Sequence, residues 1–481
     1  MKSIKKNYFY NLSYQILAMI IPLITTPYLS RVLGAENIGI YSYTLSIATY
    51  FITFGSLGIA LYGQREIAFK QDNKEEYSKT FLEIFILRII TMSISIILYY
   101  FFFIKGYEYQ TYYKILLIEI LANCLDISWL FQGLEEFKKT ITRNIVVKLL
   151  SLVSIFVFIK SSNDLIKYFI IYVLSNLIAN VSLWFYLPKY LAKFNIKEIN
   201  IFKHLKPTIL LFIPQIAIQI YTLLDKTMIG AIIEDKSQVG YYDQSQKIVK
   251  LLLTIITSFG TVMMPRIANT YSKGDNKQIK TYMYKSFNMV FLLGFPLMFG
   301  LISVSKSFVP IFFGSGYEEV ASLMAIISPI ILFIGLSNVT GTQYLLPTKR
   351  QKEFTISVIA GAIINFTFNM ILIPKYEAVG ASIGTVFAEL SVMLIQIIFV
   401  KKDFDFKKIL KLTKNYLISS FIMFEICILI SNLIKNNMLS MLCQIILGSI
   451  TYFSILLLLK DEICLEIISK SKKVRSKHYG K

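Results

Sequence analysis

Residues Pro22 to Ala68 read PLITTPYLSRVLGAENIGIYSYTLSIATYFITFGSLGIALYGQREIA, and a diverged copy follows about two hundred residues later, from Pro214 to Ala268. Ile38-Gly39-Ile40-Tyr41-Ser42 matches Val239-Gly240-Tyr241-Tyr242-Asp243. Arg65-Glu66-Ile67-Ala68 matches Arg266-Ile267-Ala268, and Asp72-Asn73-Lys74 matches Asp275-Asn276-Lys277. Each copy holds two apolar segments joined by a short polar turn, and each segment is long enough to cross hydrocarbon at a rise of about 1.5 Å per residue. Duplicated halves of this kind are how secondary transporters are built.

The composition requires a lipid solvent. With 481 residues, 55% hydrophobic, 15% aromatic and 16% charged, the chain has more apolar side chains than one soluble core can hide. Apolar runs give about fourteen spans, too closely spaced for a folded domain between them. The formal charge of +21 would suggest nucleic acid in a soluble protein. Here the basic residues alternate from one connection to the next. Lys5 and Lys6, Lys70 and Lys74, Lys138 and Lys139, Lys189 to Lys206, Lys273 to Lys280, Lys349 to Lys352, Lys401 to Lys414 and the KSKKVRSKHYGK tail mark one side. Single residues such as Arg31, Lys105, Lys160, Lys236, Lys306, Lys375 and Lys435 mark the other. The positive-inside rule makes the first side, and both termini, cytoplasmic, and it leaves no role for nucleic acid.

Cys124, Cys427, Cys443 and Cys464 stand singly and read as packing residues. His204 and His478, the two histidines, lie in lysine-rich stretches, so no metal site is expected. Further echoes, Gly106-Tyr107-Glu108 with Gly316-Tyr317-Glu318 and Phe158-Ile159-Lys160 with Ile373-Pro374-Lys375, extend the duplication. The expected fold is therefore an all-α integral membrane protein with two pseudo-symmetric six-helix lobes, residues 1–200 and 201–405. Two extra spans at 406–460 and a basic tail at 461–481 follow. Pro22, Pro27, Pro214, Pro296 and Pro329 are expected to bend spans.

Three stretches carry a family resemblance: TPYLSRVLG at 26–34 with IGIYS at 38–42; LDKTMIG at 224–230 with VGYYD at 239–243; and QYLLP at 343–347 running on to IPKYEAVGAS at 373–382 and Glu389. The chain resembles the Wzx-type polysaccharide-repeat flippases of the multidrug/oligosaccharidyl-lipid/polysaccharide exporter superfamily. That resemblance implies a MATE-like fold in a bacterial cytoplasmic membrane. It also implies transport of an undecaprenyl-pyrophosphate-linked oligosaccharide to the outer leaflet, by alternating access around a cationic cavity. Polysaccharide polymerase or assembly proteins are the candidate partners. The competing classes are a lipid II flippase, a multidrug antiporter, a membrane polymerase or glycosyltransferase, and a scaffold.

A pyrophosphate headgroup needs positive charge where lipid would otherwise lie. The candidates within spans are Arg88, Lys148, Lys226, Lys247 and Lys250. Asp243, Lys247 and Lys250 share one helix face at i, i+4, i+7, where the first copy has Ser42, Ser46 and Thr49. For Lys247 and Lys250 the other reading is lysines reaching the interface from a helix end. Lys148 and Arg88 line a cavity or pair internally with Glu83, Glu119 or Asp126. Arg65 and Arg266, at equivalent inner ends, and Arg31, in an outer turn, stand between headgroup contact and simple anchoring. Asp225, Glu389 and Asp243 are the candidates for coupling to H+ or Na+; the plainer role for Asp225 is neutralising Lys226. No other cofactor is expected, and no catalytic residue, since no outer domain bears an acid/base pair.

Overall fold

The structure is a computed structural model that describes residues 4–105, 108–193, 199–461 and 465, with side chains at positions 4–16, 213–215, 217, 218, 220, 221 and 412 left aside. Cys464, His478, most of the basic tail and the Gly106-Tyr107 part of one repeat marker lie outside the described residues.

Sixteen α-helices follow one another among the described residues: α1 (Ile4–Ser56), α2 (Ile59–Phe69), α3 (Lys74–Tyr99), α4 (Gln110–Cys124), α5 (Ser128–Gly133), α6 (Phe137–Phe158), α7 (Leu165–Trp184), α8 (Leu187–Tyr190), α9 (Leu205–Ile232), α10 (Ser237–Ser272), α11 (Asn276–Phe312), α12 (Glu318–Ile327), α13 (Ile330–Ser337), α14 (Gln351–Val400), α15 (Phe406–Leu433) and α16 (Asn437–Leu458). The described residues contain no strand. Among the described residues eleven helical stretches are long and apolar enough to cross a membrane. The chain groups into two compact units, Met1–Gly240 and Tyr241–Lys481.

A count of helices differs from a count of apolar runs because two helices are broken internally without ending. In α1 the backbone stays helical through Pro22 and Pro27 and leaves helical geometry at Gly34, where φ is 80°. A proline gives up one hydrogen bond while its own φ remains helical, whereas φ near 80° is cheap for glycine alone. In α14 the break is at Glu377, with φ 49° and ψ −127°, three residues after Pro374. There the chain folds back on itself. A Cβ on Gly380 would lie 2.4 Å from the Leu372 carbonyl oxygen, and one on Gly384 2.3 Å from Asn369 Oδ1. The Phe368 and Phe387 rings stack with centroids 4.7 Å apart, and Gln396 donates to Ser357 Oγ at 3.0 Å. These pairs recede evenly from the break, so α14 is an antiparallel hairpin held by small residues.

In the first unit the second half of α1 runs antiparallel to α3: Ser95 donates to the Phe51 carbonyl and Thr91 to that of Gly55, both at 2.6 Å. By contrast α4 and α7 are parallel, because Asn180 reaches the Ala122 carbonyl and Trp184 that of Leu125. Both helices therefore start on the same side of the membrane, as the alternation of basic connections requires. Helix α9 packs on α1 through Ser46 and Thr227, whose hydroxyls are 2.9 Å apart. The repeated glycines also meet here: a Cβ on Gly39 would lie 1.7 Å from the Lys236 carbonyl oxygen, and one on Gly240 2.2 Å from that of Ala35.

In the second unit α15 and α16 pack on α11. Gln444 donates to the Ser303 carbonyl at 3.2 Å and Tyr452 to that of Leu292 at 2.7 Å. The repeated Asp-Asn-Lys tripeptide has a local cause. Asn73 caps α3, accepting from the Glu75 and Glu76 amides, and Asp275 caps α11, accepting from the Gln278 amide.

Candidate functional site

The charged groups fall into the two units and take unequal positions. In the first unit Asp225 is 3% exposed on α9, with Lys226 half-buried beside it. Lys148 is half-buried on α6, and Arg31 is exposed on α1. At the end of α2, Arg65 is exposed, binds Glu66 at 3.2 Å and covers the Tyr62 ring at 5.5 Å. In the second unit Asp243 is 2% exposed, and Lys247, one helical turn on, pairs with it at 2.7 Å. The i, i+4 spacing thus closes as an ion pair on α10. Lys250 and Arg266 are exposed on the same helix, and Glu389 is buried in the second arm of α14.

Arg88 is anchored on a main-chain oxygen. Its guanidinium, 2% exposed, donates from Nε and Nη2 to the Asn123 carbonyl at 3.1 and 2.5 Å. Asn123 is the next-to-last residue of α4, so the charge sits on the negative end of that helix and satisfies one of its terminal carbonyls. Among the described residues it pairs with no carboxylate.

Two polar clusters gather around Glu83 and Glu119, with partners that the sequence does not announce. One lies where α2, α3 and the start of α9 meet. His204, 2% exposed, is held at Nδ1 by the Tyr62 hydroxyl at 2.7 Å and at Nε2 by Glu83 at 2.9 Å. Glu83 also takes Lys203 Nζ at 2.7 Å and the Asn200 amide at 2.9 Å. A histidine in a lysine-rich connection reads as exposed; here it is folded beneath α3. Burial pulls the His204 imidazole below its ordinary pKa, and the Glu83 carboxylate only partly opposes this. The unfolded chain then binds the extra proton more readily, so stability is present above about pH 6.5 and declines as pH falls toward the lowered value. The expected result is a melting temperature that drops on mild acidification, with a smaller drop in His204→Gln. An equal drop in both proteins would remove His204 as the cause.

The other cluster lies between α4 and α7, where the buried carboxylate of Glu119 meets the side-chain amides of Asn123 and Asn176. Among the described residues no group of three or more His, Cys, Asp or Glu is placed to hold a metal ion.

A family model described as "Polysaccharide biosynthesis protein" matches residues 4–271, more than half of the chain. The chain belongs to the polysaccharide biosynthesis protein family. A second model, MatE, matches this family member over residues 210–371. It is 26% identical to a "Putative O-antigen transporter" of Escherichia coli (strain K12), over 83% of its own length and 97% of that protein. It is 24% identical to "Capsular polysaccharide biosynthesis protein CapF" of Staphylococcus aureus, over 83% and 100%. Its fold matches "Lipid II flippase MurJ, inward closed conformation" with a TM-score of 0.77 at 20% identity, covering 95% of this chain and all of that one. An inward-facing multidrug resistance MATE family transporter matches with a TM-score of 0.65 at 12% identity, covering 82% and 95%. The MATE-like fold and the Wzx-type resemblance therefore stand. Among the described residues the eleven apolar stretches include two that are broken internally, so they do not themselves count the crossings.

Proposed function

We propose that this chain is a flippase that carries undecaprenyl-pyrophosphate-linked oligosaccharide repeat units from the cytoplasmic to the outer leaflet, by alternating access, for surface polysaccharide synthesis. The observation that carries it is the match, over 83% of this chain and 97% of that one, to the protein named "Putative O-antigen transporter". The chemistry agrees. A phosphorylated glycan cannot cross hydrocarbon without polar and cationic groups to replace its hydration, and this chain keeps lysines and buried carboxylates on membrane helices at a solvation cost that is otherwise unexplained.

In this reading Lys226, Lys247, Lys250 and Lys148 attract the headgroup, with Arg31, Arg65 and Arg266 contributing nearer the helix ends. Arg88 holds the end of α4 in place. Coupling to H+ or Na+ would act through buried carboxylates, Asp225, Asp243 and Glu389, whose affinity changes as water gains and loses access. The protein works as a transporter rather than an enzyme, in a bacterial cytoplasmic membrane with both termini inside, beside the polymerase that uses its product.

Lipid II transport is the second reading, favoured by 25% identity over 221 residues to "Lipid II flippase MurJ" of Bacillus subtilis (strain 168). Deleting the gene and analysing the lipid-linked sugars, with their leaflet, separates these readings. An oligosaccharide accumulating on the inner leaflet is expected. Accumulated peptidoglycan precursor would replace the first reading by the second, and unpolymerised repeat units on the outer leaflet would point to a polymerase.

A further inference from the structure

Glu119 is an ionisable group that the headgroup reading does not use. It is 4% exposed, and no lysine or arginine nitrogen pairs with it among the described residues. Its Oε1 accepts from Asn123 Nδ2 and from Asn176 Nδ2, each at 3.0 Å, while among the described residues Oε2 accepts from Asn176 Nδ2 alone, at 3.1 Å. An ionised carboxylate offers about four acceptor positions and a full charge. Here it meets two neutral amides.

The depth matters. Glu119 lies nine residues beyond Gln110, the first residue of α4, and Asn176 eleven beyond Leu165, the first of α7. At about 1.5 Å per residue these are about 14 and about 16 Å along parallel helices, close to the middle of a hydrocarbon layer about 30 Å thick. A carboxyl group at that depth, hydrogen-bonded yet without a cation, is a typical proton carrier.

Its surroundings fit a neutral ligand. From α7 the titratable neighbours are Tyr168 and Tyr172, and from α1 Tyr41, whose ring lies 4.7 and 5.7 Å from theirs. From α3 the charged neighbour is Arg88, which is engaged on the far side of Asn123 with that residue's backbone carbonyl. Asn123 therefore joins the two groups, presenting its side chain to Glu119 and its carbonyl to Arg88.

We propose that Glu119 is a proton-binding site of the first unit, protonated on Oε2 while α4 and α7 enclose it and deprotonated to water when the transport cycle opens that contact. Hydronium delivers the proton, an O–H bond forms on Oε2 and water leaves; release reverses the step. The role of the proton in transport rests on the flippase reading, whereas its binding does not.

Two measurements test it. Infrared difference spectra of the full chain in lipid nanodiscs, between about pH 5 and about pH 9, are expected to contain the carbonyl band of a protonated carboxylic acid that is missing in E119Q. In Asn176→Ala, which loses the amide that favours the charged form, the band should persist to higher pH. Identical difference spectra for wild type and E119Q, or no displacement in Asn176→Ala, overturn the site. In cells, E119Q is expected to lower surface polysaccharide by at least about tenfold at normal protein level, with E119D retaining part of it; wild-type output from E119Q overturns the coupling. If deletion of the gene leaves no lipid-linked oligosaccharide on the inner leaflet, the flippase reading fails while the infrared result stands by itself.

Discussion

Lys226→Ala and Lys250→Ala are each expected to cut surface polysaccharide by at least about tenfold, with the amount of protein in the membrane unchanged. A single cationic contact to a phosphate in a poorly hydrated setting is worth more than the roughly 1.4 kcal/mol that corresponds to a factor of ten. The two lysines test the idea from different positions. Lys250 is exposed on α10, so truncating its side chain removes little buried surface, and the unchanged amount of protein in the membrane is the check on folding. Lys226 is half-buried beside a carboxylate that is 3% exposed, so its removal also leaves Asp225 in altered surroundings. Lys226→Arg, which keeps the charge, therefore separates charge from shape: recovery in the arginine variant means that charge is what matters. Full polysaccharide in both alanine variants, measured with the lipid-linked intermediate on each leaflet, would withdraw both lysines from the headgroup.

Much of the architecture is legible in the sequence because lipid imposes a simple rule: every spanning segment must satisfy its own backbone and show apolar side chains. Long apolar runs and alternating lysines follow directly. The pairing of Asp243 with Lys247 is legible for a similar reason, since one turn of helix fixes both partners. Tertiary partners are another matter. Arg88 invites pairing with a carboxylate, but its partner is a main-chain oxygen 35 residues away, which no side-chain pattern announces. Glu119 takes its second amide from Asn176, 57 residues away, and asparagines in an apolar run carry no signature of their own. The breaks in α1 and α14 fall at Gly34 and Glu377 rather than at the neighbouring prolines, because a turn requires positive φ and proline cannot supply it. Pro214, also singled out by the sequence, has a side chain outside those described.

Glu83→Ala is expected to destabilise the protein by about 3 kcal/mol, more than any single change at the exposed lysines. The Glu83 side chain is fully buried, and three donors converge on it: Lys203 Nζ, His204 Nε2 and the Asn200 amide. Removing the carboxylate leaves the amide and the imidazole N–H without an acceptor in a site closed to water, the costly half of a broken hydrogen bond. Lys203 is 42% exposed and recovers hydration, which keeps the figure at the low end of the range for buried ion pairs. Glu83→Gln preserves the shape and one acceptor oxygen, so about 1 kcal/mol is expected there. Because these contacts fasten the first turn of α9 to α2 and α3, the loss also loosens the helix that carries Asp225 and Lys226. Limited proteolysis should then open the chain near Asn200 in Glu83→Ala well before it does so in wild type. Equal melting of the alanine and glutamine variants would mean that the lost negative charge, and neither the stranded donors nor the cavity, sets the cost.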